Sequence, residues 1–250
     1  MSAVKAAAFA PAELVSKVRV AAQAAGFREE EFGRAGECPL IALTRRIPGP
    51  RPRVYVSTGI HGDEPAPPLA LLSLLRSGLF DGRANWILCP LLNPAGFRAQ
   101  TRENAGGIDL NRDYCQTRSE EVTAHLRWLR RQPNFDFYLT LHEDWEATGF
   151  YLYEINPRGQ KSHADAVIAA VGAICPIDLH DQIDGRPAVG GIIRPQVDTA
   201  TVELWPESFY LRSHHAARGC TLETPSGYPL AQRILAMQVA VTTVLKEFLG

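Results

Sequence analysis

The chain has 250 residues, and its 26 basic and 27 acidic side chains leave a formal net charge of −1. This balance argues against a broadly basic surface for nucleic acid or for an anionic membrane, so we expect neither as a partner. No apolar run approaches the ~18 residues of a membrane-spanning helix, and the even spread of apolar residues predicts a single domain over residues 1–250.

The five cysteines are widely scattered, odd in number and free of any C-x-x-C pair. A disulfide framework or a cysteine-based zinc site is therefore not expected. We expect small buried thiols that stay reduced, which is typical of a cytoplasmic protein. The N-terminal segment, interrupted by Pro11 and then by charges, predicts an amphipathic helix rather than a secretory signal.

Short apolar strands alternate with loops and helices from residue 53 onward, which is typical of an α/β fold. RVYVSTGI (53–60) predicts a buried strand. PAPPLALLSLLRSG (65–78) predicts a helix, with prolines in its first turn and Gly78 just past its end. NWILCPLL (85–92) predicts a second strand, and a long loop follows it.

The second half of the chain continues this order. Residues 117–131 predict a surface helix that starts with a capping box of Thr117 and Glu120. Strands are expected at 134–141, where Phe137, Leu139 and Leu141 alternate, and at 148–154 and 218–223; helices are expected at 162–174 and 229–249. Residues 176–216 hold prolines and glycines and predict loops with at most one short strand or hairpin.

Histidine or glutamate lies at the end of three of these strands. His61 comes right after the strand at 53–60, His142 right after the strand at 134–141, and Glu223 ends the strand at 218–223. In open α/β sheets ligands bind at the carboxyl ends of the strands, so these side chains can converge although they lie far apart in the chain.

With Glu64, which is three residues after His61, two imidazoles and one carboxylate form the ligand set that a catalytic zinc ion selects, and water takes the fourth position. An H-x-x-E pair alone is a weak signal. Taken singly, His61 also fits a polar loop residue, His142 a hydrogen-bonded residue at a strand end, and Glu64 a carboxylate at a helix N-terminus. Together they favour one zinc ion per chain, held by His61, Glu64 and His142.

Between the two histidines lies NPAGFRAQTRENAGGIDLNRDY (93–114), and at this point the chain resembles the zinc carboxypeptidase family. The family's motifs occur here in the family's order: His61 with Glu64, N-P-x-G at 93–96, Arg102, D-x-N-R at 109–112, His142 and Glu223. The similarity spans residues 53 to about 226. It implies an α/β fold with a mixed, twisted central sheet and helices on both faces, and a zinc-dependent hydrolase.

The resemblance also implies a role for each of these residues. Glu223 would act as the general base, taking a proton from water and returning it to the departing amine, while Arg102 would stabilise the charge on the former carbonyl oxygen. Asn111 and Arg112 would bind a terminal carboxylate of the substrate, and Asp109 would hold the far nitrogen of His61. Tyr210 is a candidate for the mobile tyrosine that these peptidases place near the substrate.

The sequence departs from the pancreatic-type peptidases before the ligand glutamate, where Asp63 replaces an arginine. GIHGDE and DLNRD are closer to murein-peptide amidases and to deacylases such as aspartoacylase and succinylglutamate desuccinylase. Those deacylases usually carry an extra β-rich domain after the catalytic glutamate, whereas only a helix-length segment follows Glu223 here. Glu143, Asp144 and Glu146 fit either a site for a cationic substrate group or solvated loop charges, and we favour loop charges.

The leading hypothesis is a zinc-dependent hydrolase of carboxypeptidase type that cuts an amide bond next to a free carboxylate. The closest alternative is an N-acyl amino acid deacylase that uses the same residues. The expected partner is therefore a small peptide or an N-acyl amino acid with a free carboxylate. An inactive zinc-containing protein that binds carboxylate peptides is the alternative of another class, although such a protein needs neither Glu223 nor Arg102.

Overall fold

The computed structural model describes residues 10–157, 160–195 and 203–250, so the start of the predicted N-terminal helix, residues 1–9, lies outside the described residues. Over these ranges the strands are β1 Arg28–Ala35, β2 Cys38–Arg45, β3 Arg53–Thr58, β4 Asn85–Cys89, β5 Phe137–Asp144, β6 Tyr151–Ile155, β7 Gln182–Ile183, β8 Arg186–Pro187, β9 Ile192–Ile193 and β10 Gly219–Pro225. The helices are α1 Pro11–Ala24, α2 Ala66–Arg76, α3 Pro94–Ala99, α4 Glu120–Leu129, α5 Ala164–Val171, α6 Glu207–His214 and α7 Leu230–Leu249, with a 3₁₀ turn at Leu110–Arg112.

Eight strands form one mixed sheet in the order β1-β2-β4-β3-β5-β10-β6-β9. The four central strands β4, β3, β5 and β10 are parallel to one another. On the two sides of this block, β2 pairs antiparallel with β4 and β6 pairs antiparallel with β10. Because the carboxyl ends of β3, β5 and β10 meet at one edge, the segments that follow them in the chain become neighbours in space.

Apolar side chains cover both faces of the sheet, as expected for parallel strands buried between helices. One face packs against α1, α2, α5 and α7 and includes Phe137, Leu139 and Leu141. The other face packs against α4 and α6 and includes Tyr55 of β3 and Tyr138 of β5. The predicted mixed sheet with helices on both faces is confirmed.

Four elements were not predicted from the sequence: β1 and β2, which precede residue 53, α3, which lies in the expected long loop, and α6. Strand β1 reads REEEFGRA and is mostly exposed, so it has no apolar alternation, and charges are typical of such edge strands. Helix α6 lies in the segment where only loops and a hairpin were expected. The hairpin itself is present as β7 and β8, and β9 adds a further short strand.

The start of α4 also differs from the prediction. Its N-cap is Ser119, whose Oγ accepts a hydrogen bond from the backbone N–H of Val122 at 3.3 Å. Asp113 accepts hydrogen bonds from both the N–H and the hydroxyl of Ser119, which places this residue ahead of the first turn. Thr117 has φ +53° and lies outside the helix, so the capping box of Thr117 with Glu120 is wrong.

All five cysteines are free, and four of them are buried as expected. Cys115 is the exception, because its side chain is exposed. Among the helices of the three described ranges, none combines the length and the apolar character that crossing a membrane requires.

Candidate active site

Two imidazoles and one carboxylate meet at the carboxyl edge of the sheet. His61, Glu64 and His142 are each at most 3% exposed, and one possible ligand atom of each lies within 4.8 Å of the others. Nδ1 of His61 is 2.5 Å from Oε1 of Glu64, and Nδ1 of His142 is 3.1 Å from Oε2 of the same carboxylate. The structure thus brings together the three residues that the sequence predicts as zinc ligands, two from the loop after β3 and one from β5.

The charges of this cluster depend strongly on one another. Burial lowers the pKa of His61, but the carboxylates of Glu64 and Asp109 outweigh burial and raise the pKa to about 9. Burial raises the pKa of Glu64, yet the two imidazoles outweigh it and lower the pKa to about 2. A divalent cation favours the same arrangement, because it binds deprotonated imidazole nitrogen and carboxylate oxygen and displaces the protons. The donor set therefore fits zinc.

Asp109 contacts both His61 and Arg102. Its Oδ1 lies 3.2 Å from Nε2 of His61, and its Oδ2 accepts a hydrogen bond from Nε of Arg102 at 2.9 Å. Burial raises the pKa of Asp109, but these two cationic partners hold that pKa well below its usual range. Because Nε2 of His61 faces Asp109, the Nδ1 atom is the one left for a metal. Nη1 of Arg102 lies 3.8 Å from Oε1 of Glu64, so this cation is next to the cluster.

Two glycines allow the H-x-x-E loop to touch the N-P-x-G segment. A Cβ added to Gly62 would lie 1.8 Å from the carbonyl carbon of Gly96, so only glycine fits at this contact. Asn93 accepts a hydrogen bond from the Gly96 N–H at 2.9 Å and donates one from Nδ2 to the carbonyl of Arg102 at 3.2 Å. The N-P-x-G motif therefore positions Arg102 against the loop that carries His61.

Glu223 lies next to His142, since the two residues are Cα partners in the parallel pair of β10 and β5. It is half-buried and lines the cavity in front of the cluster. Burial raises the pKa of Glu223 well above its ordinary value; His142 opposes this shift, and the carboxylates of Glu64 and Asp144 add to it. The structure thus brings Glu223, which was predicted as the general base, to the cavity that His61 and His142 also line.

Asn111 and Arg112 lie in the 3₁₀ turn and line the same cavity. The backbone N–H of Asn111 donates to Oδ1 of Asp109 at 2.8 Å, which places this pair directly beside the support of His61. Nη1 of Arg112 donates to the carbonyl of Asn111 at 2.9 Å. The two residues predicted to bind a carboxylate are thus on the wall of the cavity that holds the metal-ligand candidates.

The expectation for Tyr210 is not met. Its side chain is 5% exposed and belongs to the core cluster between the sheet and helices α4 and α6. Its ring stacks on His214, with 4.4 Å between the ring centroids. The reason is that Tyr210 lies on the inward side of α6, a helix that the sequence did not predict, and not in a loop facing the substrate.

The cavity has a volume of about 340 Å³, and its lining includes Tyr138 and Arg212, neither of which was singled out from the sequence. The hydroxyl of Tyr138 and Nη1 of Arg212 are buried and have no hydrogen-bond partner among the residues that the structure describes. Gly219 makes room for the tyrosine, because an added Cβ there would lie 2.4 Å from its ring. Strand alternation places Tyr138 on the same face as His142, about 13 Å along the strand, and this signal could have found it.

The acidic residues that follow His142 are not all solvated loop charges. Glu143 is buried, and its carboxylate accepts hydrogen bonds from Nη1 of Arg233 at 2.5 Å and from the N–H of Ala66 at 2.7 Å. Asp144 lines the cavity and accepts a hydrogen bond from the hydroxyl of Tyr151 at 2.9 Å. The interpretation as loop charges is wrong for these two residues, because β5 extends to Asp144.

Comparisons with known proteins agree with this geometry. A sequence model of the succinylglutamate desuccinylase/aspartoacylase catalytic domain matches residues 50–248. A crystal structure of a candidate metallopeptidase from Shewanella amazonensis is 28% identical, with a TM-score of 0.82 over 94% of this chain and 92% of that chain. A metallo-carboxypeptidase from Burkholderia cenocepacia has the same fold at 19% identity, with a TM-score of 0.68 over 94% of this chain and 68% of that chain.

Carboxypeptidase SOL1 of Arabidopsis thaliana is 32% identical over 113 residues, which are 33% of this chain and 21% of SOL1. The match therefore spans about a fifth of that relative's length. The family and the neighbour from Shewanella amazonensis point to a hydrolase of the metallopeptidase type. Because the family model matches most of this chain, residues 50–248, the chain belongs to the succinylglutamate desuccinylase/aspartoacylase catalytic-domain family.

Proposed function

We propose that this protein is a zinc-dependent hydrolase of carboxypeptidase type that cleaves an amide bond next to a free carboxylate. The observation that supports it is the composition of one cavity. That cavity is lined by His61, Glu64 and His142, by Glu223 and Arg102, and by Asn111 and Arg112. Metal-dependent amide hydrolysis uses a metal site, a base and a stabilising cation, and Asn111 and Arg112 add groups that can bind a carboxylate.

Zinc held by His61, Glu64 and His142 would supply a Lewis acid that activates water and polarises the scissile carbonyl. Glu223 would take a proton from the attacking water and deliver it to the departing amine nitrogen. Its register opposite His142 keeps the carboxylate on the cavity side of the ligand cluster. One carboxylate can act in both steps because it receives the proton first and returns it afterwards.

Arg102 would stabilise the negative charge that develops on the carbonyl oxygen. Its Nε is held by Asp109, so the terminal N–H groups are oriented before the substrate binds. Arg112 presents a planar guanidinium and Asn111 an amide on the same wall, and together they can bind both oxygens of a carboxylate.

A specific observation supports an acidic amino acid as the product, and with it a second candidate function. Nη1 of Arg212 and the hydroxyl of Tyr138 have no hydrogen-bond partner among the described residues, and both residues line the cavity, so a side-chain carboxylate of the substrate could accept from both. The family description names succinylglutamate, an acylated dicarboxylic amino acid. Deacylation of N-acyl glutamate or N-acyl aspartate would use the same metal site, base and cation.

The test is a substrate screen with zinc-loaded protein. Dipeptides ending in glutamate or glutamine, N-acetyl-glutamate, N-succinyl-glutamate and murein peptides are incubated separately, and the release of free amine is measured. Release from the dipeptides supports the peptidase, whereas release from the N-acyl amino acids alone supports the deacylase. Binding of carboxylate peptides without release from any substrate would favour the inactive zinc-containing protein.

Glu223→Gln tests the base. We expect the variant to retain about one zinc per chain while turnover falls by at least ~100-fold, because the water has lost its proton acceptor. Zinc content is measured by metal analysis, and turnover by amine release. Turnover equal to wild type would remove Glu223 from this role.

Arg112→Ala tests carboxylate recognition. We expect KM to rise about tenfold or more for substrates with a free carboxylate and to change little for their carboxyl-amidated counterparts. Arg98→Ala is the matched control, because Arg98 is exposed and does not line this cavity. Equal losses on the two substrate forms would contradict the assignment.

A further inference from the structure

Glu207 is a buried carboxylate at the start of α6. Its side chain is 1% exposed, and its two oxygens accept hydrogen bonds from the hydroxyl of Tyr55 at 2.6 Å and of Ser57 at 2.7 Å. No described lysine or arginine forms an ion pair with it. A carboxylate without a cation is costly in a protein interior, so its presence next to the proposed active site calls for a physical reason.

The backbone N–H of the same residue contacts the proposed carboxylate-binding pair. It donates to Oδ1 of Asn111 at 2.9 Å. The N-cap of α6 is Pro206, whose side chain makes no capping hydrogen bond, so Asn111 satisfies one of the free N–H groups of the first turn. The contact also has an effect on Asn111: with its oxygen engaged, the amide presents its NH₂ group to the cavity that it lines.

This orientation matters because a substrate carboxylate accepts hydrogen bonds and cannot donate them. An Asn111 turned the other way would place its oxygen against the carboxylate and repel it. The other side of the residue is already held, because its own N–H donates to Asp109. The N–H of Glu207 therefore decides which face of the amide meets the substrate.

The side chain of Glu207 connects the start of α6 to β3, the strand that precedes His61 in the chain. Tyr55 and Ser57 belong to β3, and His61 follows Ser57 by four residues. Both hydroxyl groups lie on the face of the sheet that packs against α6. One carboxylate thus ties the first turn of α6, and through it Asn111, to the chain segment that leads into the H-x-x-E loop.

We propose that Glu207 is a positioning residue: its carboxylate holds the first turn of α6 against β3, and this places its backbone N–H so that it orients Asn111. This inference rests on the proposed function, since it assigns Asn111 to a substrate carboxylate. It explains the two contacts of the carboxylate: each oxygen accepts from one hydroxyl group of β3, whereas glutamine offers one oxygen and would present its NH₂ group to the other hydroxyl. It also predicts that Glu207 acts on carboxylate recognition and not on the metal.

The experiment uses zinc-loaded full-length protein and two probes, L-glutamate and its α-amide, isoglutamine, whose affinities are measured by NMR titration. Wild type is expected to prefer glutamate. Glu207→Gln keeps the backbone N–H that contacts Asn111 but breaks one of the two links between the first turn of α6 and β3, so this preference falls by up to about tenfold, the factor that one hydrogen bond to a charged group is worth, while the zinc content remains about one per chain. In an Asn111→Ala background the same substitution changes the preference by less than about twofold, because the two residues act through one contact.

Leu211→Ala is the matched control. Leu211 is buried on the same helix, and its side chain takes no part in the hydrogen bond between Glu207 and Asn111. The substitution removes packing of α6 and leaves the carboxylate link intact. A similar loss of preference in Leu211→Ala, or an unchanged preference in Glu207→Gln, overturns the inference. A wild-type protein that neither distinguishes the two probes nor releases amine from any substrate overturns the proposed function instead.

Discussion

Replacement of Arg212 by methionine should make the protein more stable and less selective. Nη1 of Arg212 is buried on the cavity wall without a hydrogen-bond partner among the described residues. An unsatisfied buried donor costs about 1–3 kcal/mol, and because the rest of this side chain is half-buried we expect a gain at the lower end, about 1 kcal/mol in the free energy of unfolding. Methionine has a similar length and fills the same space without a polar group.

The same change should remove the preference for an acidic side chain. A hydrogen bond to a charged group contributes about 1.5–3 kcal/mol, which corresponds to a factor of about 10 to 150. We therefore expect kcat/KM for a glutamate substrate to fall by this factor relative to its glutamine isostere, whose own kcat/KM should stay within about threefold. The assay pairs urea unfolding with amine-release kinetics on the two substrates.

Arg127→Met serves as the control, because Arg127 is exposed on α4 and does not line the cavity. If Arg212→Met lost stability, the guanidinium would have a partner in solution and would not be an unsatisfied donor. If the two substrates lost activity equally, the site would not recognise a side-chain carboxylate.

Two further predictions concern the core beneath the site and the loop that carries the metal-ligand candidates. Burial lowers the pKa of His125 to about 3, below its value of about 6.5 in the unfolded chain, so its contribution to stability is complete above pH 6.5 and is lost as the pH falls toward 3. At pH 5 the loss is about 2 kcal/mol in the free energy of unfolding, and His125→Gln should not show this loss. In urea unfolding, the stability of wild type minus that of the variant should therefore be about 2 kcal/mol smaller at pH 5.0 than at pH 7.5. An equal difference at both pH values would refute this prediction. Gly62→Ala would place a methyl carbon 1.8 Å from the backbone of Gly96, so we expect zinc affinity to fall at least tenfold by titration with a chelating indicator. Gly82→Ala has open space at the new Cβ and should bind zinc like wild type, and normal binding by Gly62→Ala would contradict the close contact.

Much of the fold could be predicted because its signals are local. The central strands are short apolar runs bounded by polar loops, and α2 carries prolines at its first turn and a glycine after its end. Strands β1 and β2 and helices α3 and α6 escaped prediction, and for β1 and α6 the physical reason is the same. In both elements charged and aromatic residues replace a clear apolar period. Pairing with β2 stabilises β1, and packing against the sheet stabilises α6.

The sequence by itself determined the chemistry of the proposed site: the order of H-x-x-E, N-P-x-G, D-x-N-R, a lone histidine and a late glutamate names the donor types, and strand ends bring them to one edge. Only the tertiary structure decided what surrounds those donors. It removed Tyr210 from the substrate side, placed Arg212 and Tyr138 on the cavity wall, and joined Glu207 to Asn111. These contacts link residues from separate elements, and neither spacing nor periodicity along the chain records which distant side chains will meet, because that depends on how the helices pack on the sheet.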